Sequence, residues 1–401
     1  MEHAGYKFKT LEYKSLQDGQ WISLDLYPPT VSRRQQIEQV DGNVHIASIP
    51  AVIYFHGGGL TVGNRKSWFP TWLQSRVSSM GFAFISADYR LIPPSTAHSI
   101  VEDIQDLFTF LPTLNSPFLT EKGLESHTHS FNIDMDAIAV SGSSAGGLCA
   151  YLAAMHCTSP KPKAVLSMYG MGGEFMTAHY LKPKTEVFFR GRELLDSCDF
   201  AEFVYPFSSP SGSSQEISDS PLAYHPLTYH IPGYPANPRM LLARLYLQRG
   251  DFLDYYTGEY EPSLSSRLRS IWELEIHDVV KQNLSHVSGS ELDSSGARMK
   301  LIIPEQYLPL FPQFGVTSAW PATILIHGSA DTAVPIHESR NMARLLEEAG
   351  VPVKLLVFDG KEHSFDYEPD AMIAHGKEFD EAVELLKRLL RPSLAGVRDS
   401  E

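Results

Sequence analysis

The chain has 401 residues, 43% of them hydrophobic and 20% charged, and a formal net charge of −14 with no cluster of Lys and Arg. That make-up fits a globular protein with one large domain or a core carrying an elaborate insertion, and it excludes the concentrated basic surface that nucleic acid binding requires. Residues 1–20 carry no apolar signal core, no uninterrupted apolar run reaches the roughly 18 residues of a membrane span, and the last five residues form no lipidation or retention signal, so a cytoplasmic protein without a transmembrane segment is expected.

The opening reads as two strands, "YKFKTLEYKSL" and "WISLDLYPP", around the turn pair Asp18-Gly19. A polar segment from about Thr30 to Asn43 reads as a surface loop. Six short apolar runs follow along the chain: "PAVIYFHGGG", "FAFISADYRL", "DAIAVSGSSAGG", "KAVLSMYGMGG", "ATILIHGSAD" and "VKLLVFDGKEH". Runs of this kind suit strands buried on both faces of a parallel sheet. Between them lie helical patterns, with Ile100, Ile104, Leu107, Phe108 and Leu111 at helical spacing, then "HESRNMARLLEEAG" and a closing "KEFDEAVELLKRLL". Strand–helix alternation after a hairpin predicts an α/β fold, a doubly wound, mostly parallel sheet with an antiparallel edge.

From about Glu174 to Trp320 the alternation stops. This stretch holds helical patterns, aromatic- and Pro-rich sequence, and two Ser/Gly-rich segments, Ser208–Ser220 and Ser285–Ala297, that read as mobile loops. It is read as a mainly helical cap inserted into the core. The expected organisation is therefore residues 1–173 for the first part of the core, 174–319 for the cap and 320–401 for the second part. Cys149, Cys157 and Cys198 form no C-x-x-C pair, so neither a disulfide framework nor a zinc site is expected, and each reads as a small core residue.

The chemistry centres on "SGSSAGG". Ser144 lies between a strand and a helix pattern, with Gly142 and Gly146 supplying the small neighbours that a strained nucleophile turn needs. The helix N-terminus behind it favours negative charge. His56-Gly57-Gly58-Gly59 ends an earlier strand, where glycines let backbone N–H groups face a substrate oxygen. A serine hydroxyl needs a base, and the base an orienting acid. Among 16 histidines, His363 follows the last strand pattern, and Asp331 follows the strand "ATILIHG". Both then share the C-terminal sheet edge with Ser144, where open α/β sheets bind ligands. Asp359 is the rival acid, read as shaping its turn, and His56 and His327 are read as structural.

Taken together, "HGGG", "DYRL", "GSSAGG", "HGSADTAVP" and "DGKEHSF" resemble the hormone-sensitive-lipase-like branch of the α/β-hydrolases, over about Pro50–Gly173 and Trp320–Leu390. The chain order Ser, Asp, His agrees with that superfamily. The resemblance implies a serine hydrolase that cleaves a carboxylic ester through an acyl-enzyme, with Ser144 as nucleophile, His363 as base and Asp331 as orienting acid. It also implies that Gly58, Gly59 and the N–H of Ala145 form the oxyanion hole. The sequence departs from the family's commonest pattern at Ser143 and at Ile92-Pro93-Pro94. Far more chain separates Ser144 from Asp331 than the roughly 60–80 residues that two strand–helix units need, and the excess is the cap. Its Tyr205, Phe207, Tyr224, Tyr229, Tyr234 and Trp272 are candidates to line an apolar acyl or polyketide-like pocket, although each taken singly is read as packing the cap. The expected partner is a small ester or acyl compound, with no cofactor and no metal. The alternative is a hydrolase-fold enzyme of a natural-product pathway that catalyses cyclisation, condensation or C–C cleavage; a peptidase and a non-enzymatic binding module are the weaker rivals.

Overall fold

The computed structural model describes residues 8–16, 19–30, 37–40, 43–46, 48–114, 118–120, 127–129, 131–207, 215–231, 233–282 and 298–391. Strands β1 (Lys9–Ser15) and β2 (Trp21–Tyr27) form the expected hairpin and pair antiparallel. The polar segment read as a loop instead holds β3 (Ile37–Val40) and β4 (Asn43–Ile46), an antiparallel ribbon outside the main sheet.

The main sheet continues with β5 (Ser48–Phe55) and β6 (Ala83–Ala87). The short pair β7 (Phe118–Thr120) and β8 (His127–His129) stands apart from it. Strands β9 (Asn132–Ser143), β10 (Ala164–Met168), β11 (Ala322–Gly328) and β12 (Val353–Phe358) complete the sheet. Its order is β1-β2-β6-β5-β9-β10-β11-β12; β1, β2 and β6 pair antiparallel in turn, and every pair from β6 to β12 is parallel. The six apolar runs are these six parallel strands.

Because strand side chains alternate between faces, β5 sends Ile53 and Phe55 to one face and Val52 and Tyr54 to the other. The first face is covered by α2 (Ala97–Phe110), α3 (Ala145–His156) and α8 (His337–Glu348); the second by α1 (Thr71–Ser79) and α9 (Gly376–Leu390). The sheet is doubly wound, as expected.

Between β10 and β11 come α4 (Ala178–Leu181), α5 (Arg239–Arg249), α6 (Phe252–Thr257) and α7 (Leu264–Gln282). Their apolar faces join the cluster that holds α2 and α3, through Tyr180, Leu242, Tyr246, Phe252, Tyr256 and Leu268. Packed between the sheet, α2 and the turn Pro312–Phe314, α3 is buried on nearly every side. That explains why its sequence carries no polar stripe. No helix among the described residues is long and apolar enough to cross a membrane.

The segment Ser208–Ser220, read as a mobile loop, is only partly of that kind. Residues 208–214 lie outside the described residues, but 215–220 are pinned to the core. Gly63 and Ser220 exchange backbone hydrogen bonds at 2.8 and 3.1 Å, the Leu91 N–H donates to the Ile217 carbonyl at 2.8 Å, and Arg90 pairs with Glu216 at 2.8 Å. Ser and Gly composition hid this, because backbone groups and the Glu216 and Asp219 carboxylates make the contacts. The second such segment, Ser285–Ala297, lies outside the described residues. Cys149 and Cys157 are buried, whereas Cys198 is exposed, which corrects its reading as a core residue.

Candidate active site

All the candidate residues lie beyond the C-terminal ends of parallel strands. Ser144 occupies the turn between β9 and α3 with φ 55° and ψ −122°. A side chain in that left-handed region costs about 1–3 kcal/mol and persists only where the surroundings enforce it. Here they do. A Cβ on Gly142 would lie 1.9 Å from the Gly146 carbonyl oxygen, and one on Gly146 would lie 2.0 Å from that of Phe55. The Ser144 N–H donates to the Met168 carbonyl at 3.0 Å, tying the turn to β10.

His363, in the loop after β12, places Nε2 3.0 Å from Ser144 Oγ and Nδ1 2.7 Å from Asp331 Oδ2. A carboxylate only accepts, so Nδ1 carries the proton and Nε2 is left to accept from the serine hydroxyl. Asp331, after β11, is held by the N–H groups of Ala333 and Val334, each 2.9 Å from Oδ1. Burial opposes its ionisation, but the electrostatic attraction of the His363 ring and hydrogen bonds from His327 and His363 outweigh it, and the carboxyl stays well below its ordinary range. Asp359, the rival acid, is exposed and accepts from Ser329 Oγ at 2.9 Å; among the described residues it makes no hydrogen bond to His363.

His327 is the histidine whose place is richer than the sequence reading allowed. Its Nε2 donates to the Val334 carbonyl at 2.8 Å and lies 3.3 Å from Asp331 Oδ2, while Nδ1 meets Ser339 Oγ at 2.7 Å. It therefore meets the same carboxylate oxygen of Asp331 that His363 does. His56 donates from Nδ1 to the Gly57 carbonyl at 2.7 Å and stacks on Tyr89, and burial pulls its pKa down to about 4, so it is neutral.

Gly58 and Gly59 border the same cavity as Ser144 and His363. Their φ values of 112° and 63° suit glycine, and a Cβ on Gly58 would lie 2.1 Å from the Val62 carbonyl oxygen. Ala145 opens α3, where the first N–H groups have no acceptor within the helix. Three further groups back the base. The Tyr169 ring lies edge-on to His363 at 4.7 Å, and its hydroxyl donates to Asp366 Oδ1 at 2.7 Å. Trp72 Nε1 donates to the other Asp366 oxygen at 3.0 Å, and burial raises the Asp366 pKa.

Residues 52–209 match the family described as "alpha/beta hydrolase fold", and residues 299–387 match the prolyl oligopeptidase family. Among solved structures, an α/β-hydrolase superfamily protein from Enterococcus faecalis superposes with a TM-score of 0.55 at 16% identity, covering 96% of this chain and 100% of that one. The chain has the α/β-hydrolase fold. A second hydrolase of this fold, a thermophilic esterase from Thermogutta terrifontis, superposes with a TM-score of 0.52 at 17% identity, over 98% of this chain and 96% of that one.

Curated relatives of this hydrolase-fold chain include the probable carboxylesterase M8 of Phoma sp., 27% identical over 39% of the chain and 45% of that protein. Another is the chloroplastic tuliposide A-converting enzyme 1 of Tulipa gesneriana, 26% identical over 64% of the chain and 61% of that protein. The chain thus spans about half the length of the curated relatives it matches.

The cavity beside Ser144, about 250 Å³, has a lining that differs in part from the six aromatic candidates. Tyr224 and Tyr234 do line it, whereas Tyr205, Phe207, Tyr229 and Trp272 do not. Tyr205 stacks on Tyr260 and Phe207 packs against Tyr255, so these rings build the inserted helices, and Tyr229 stacks on His225. The lining that sequence reading missed includes Trp68, Phe189 and Phe252, with Arg190, Arg192 and Arg244 among them. One signal was available: Arg244 interrupts the apolar face of "RMLLARLYLQR". Among the described residues no group of His, Cys, Asp and Glu is arranged to hold a metal ion.

Proposed function

We propose that the chain is a serine esterase, with Ser144 as nucleophile, His363 as general base, Asp331 as the acid that orients it, and an oxyanion hole at Gly58, Gly59 and Ala145. The observation that carries this is the unbroken hydrogen-bond chain from Asp331 through His363 to Ser144, 2.7 and 3.0 Å long. In the reaction Ser144 Oγ attacks the ester carbonyl as His363 Nε2 takes its proton, and the carbonyl oxygen develops charge toward the glycine N–H groups. Collapse expels the alcohol, which takes the proton back from His363, and leaves an acyl-enzyme. A water activated by the same nitrogen then hydrolyses it. The names of the relatives, a probable carboxylesterase and an esterase, favour this chemistry.

Residues 174–319 are the cap of this proposal, for they leave the core after β10 and return before β11, and Phe189, Tyr234 and Phe252 from this stretch border the cavity with Ser144. The test is hydrolysis of p-nitrophenyl esters of graded chain length, with fluorophosphonate labelling in parallel. The wild type should turn over these esters and take the label on Ser144. Ser144→Ala should lose both, with turnover falling on the order of 10⁴-fold or more. Near-wild-type turnover by Ser144→Ala would defeat the proposal. A labelled serine without ester turnover would point instead to cyclisation, condensation or C–C cleavage.

A further inference from the structure

An acidic chain, of net charge −14, gathers three arginines and one glutamate around the cavity of Ser144: Arg190, Arg192, Arg244 and Glu193. Arg244 lies on α5, whose Met240, Leu241, Ala243, Arg244 and Leu247 all border the cavity, the i, i+3, i+4, i+7 spacing of a single helix face. The helix sits close to the reacting groups, since a Cβ on Gly59 would lie 2.2 Å from that of Ala243.

The surroundings of Arg244 leave its charge poorly matched. The residue is only 6% exposed, yet among the described residues its guanidinium meets one partner, Glu193 Oε1, at 3.3 Å from Nη2. That carboxylate is itself 53% exposed, and Arg244 Nε is enclosed with no hydrogen-bond partner among the described residues. Burial lowers the Arg244 pKa, against the pull of Glu193. A guanidinium withdrawn from water costs free energy unless an anion or several acceptors replace the water.

The contrast lies on the same helix. Arg239, 9% exposed, gives Nε to the Thr61 carbonyl at 2.8 Å and Nη2 to those of Ile92 and Pro93 at 3.0 and 2.7 Å. That is how a buried arginine looks when its task is to hold the fold. Arg244 has no such set, and the residue borders the cavity where a substrate would lie.

We propose that Arg244 binds a carboxylate carried by the substrate, so that the ester hydrolysed here is an anionic, aromatic one. This rests on the serine-esterase reading of the same site. The planar fork of a guanidinium fits a carboxylate through two N–H bonds. Arg190 and Arg192, both exposed, add positive charge at the rim that draws the anion in. The rings of Tyr180, Phe189, Tyr224, Tyr234 and Phe252 supply flat apolar walls for an aromatic body.

The test compares kcat/KM for 4-acetoxybenzoate with that for its neutral counterpart 4-acetoxybenzamide, in the wild type, Arg244→Met and Arg244→Lys. The acid-over-amide ratio should fall on the order of 10- to 100-fold in Arg244→Met, the loss of one charge-assisted hydrogen bond or pair. Arg244→Lys should keep part of it, since it retains the charge but not the fork. The same ratio in all three proteins overturns the proposal, because an arginine that merely props the cap would lower both rates together. Calorimetric titration of the unmodified protein with benzoate and with benzamide gives the answer without turnover or substitution. Tighter binding of benzoate is expected, and equal or weaker binding overturns the proposal even where Arg244→Met fails to fold. Loss of the esterase reading has a different signature, turnover of neither ester with no labelling of Ser144.

Discussion

Asp331 makes four contacts at the site: two backbone N–H groups on Oδ1, and His363 and His327 on Oδ2. Its depressed pKa fixes the sign of a linkage. A carboxyl whose folded pKa lies below its unfolded value, near 3.9, contributes stability above that pH and loses it as pH falls toward the folded value. The stability gap between wild type and Asp331→Asn should therefore be full at pH 6 and shrink below about pH 4, as urea unfolding across that range would read. In turnover, Asp331→Asn should cost on the order of 10³–10⁴-fold, because an amide no longer fixes the His363 tautomer. Asp359→Asn should stay within about threefold of wild type, since the Asp359 side chain is occupied by Ser329. A reversal of these two effects on ester hydrolysis would move the acid to Asp359. His327 shows where sequence stopped. "HGSAD" displays a histidine four residues before the acid, but only the turn after β11 folds that ring back onto it.

At the scale of elements, the parallel strands were legible because strands covered on both faces need continuous apolar runs, and these runs are short and rich in β-branched residues, unlike that of α3. The strand-end glycines and the order of Ser144, Asp331 and His363 were legible for the same reason, since they follow those runs. The cap was not. Its helices bury aromatics on faces set by partners distant in sequence, so composition could not tell ring–ring packing, as in Tyr205 on Tyr260, from a cavity wall. The segment 215–220 is the sharper lesson, because polar composition suggested mobility while its backbone formed a bridge to Gly63 and its Glu216 a pair with Arg90. Deleting residues 215–220 should lower unfolding free energy by about 2–4 kcal/mol, through lost backbone hydrogen bonds and a weakened buried arginine cluster. Thermal denaturation would read it. A deletion that leaves the melting temperature unchanged would show that the clamp carries no stability.

At the scale of the molecule, one apolar cluster runs from the sheet through α2 and α3 into the inserted helices, with Leu107, Leu152, Tyr256 and Leu268 all in it. Core and insertion should therefore melt together. Far-ultraviolet ellipticity and near-ultraviolet aromatic signals are expected to give one coincident transition, and an early, separate loss of the aromatic signal would mean that the insertion unfolds by itself. Cys198 adds a means of looking. Of the three cysteines, Cys149 and Cys157 are buried while Cys198 stands exposed on the short helix Ser197–Phe203 of the inserted stretch; all three thiols lie above the ordinary range, the first two through burial and Cys198 through its hydrogen bond to Asp196. Only the thiolate of an accessible cysteine reacts. Native protein thus offers maleimide dyes a natural attachment point on the insertion, and a fluorophore placed there would report what that stretch does while substrate comes and goes, with no residue replaced.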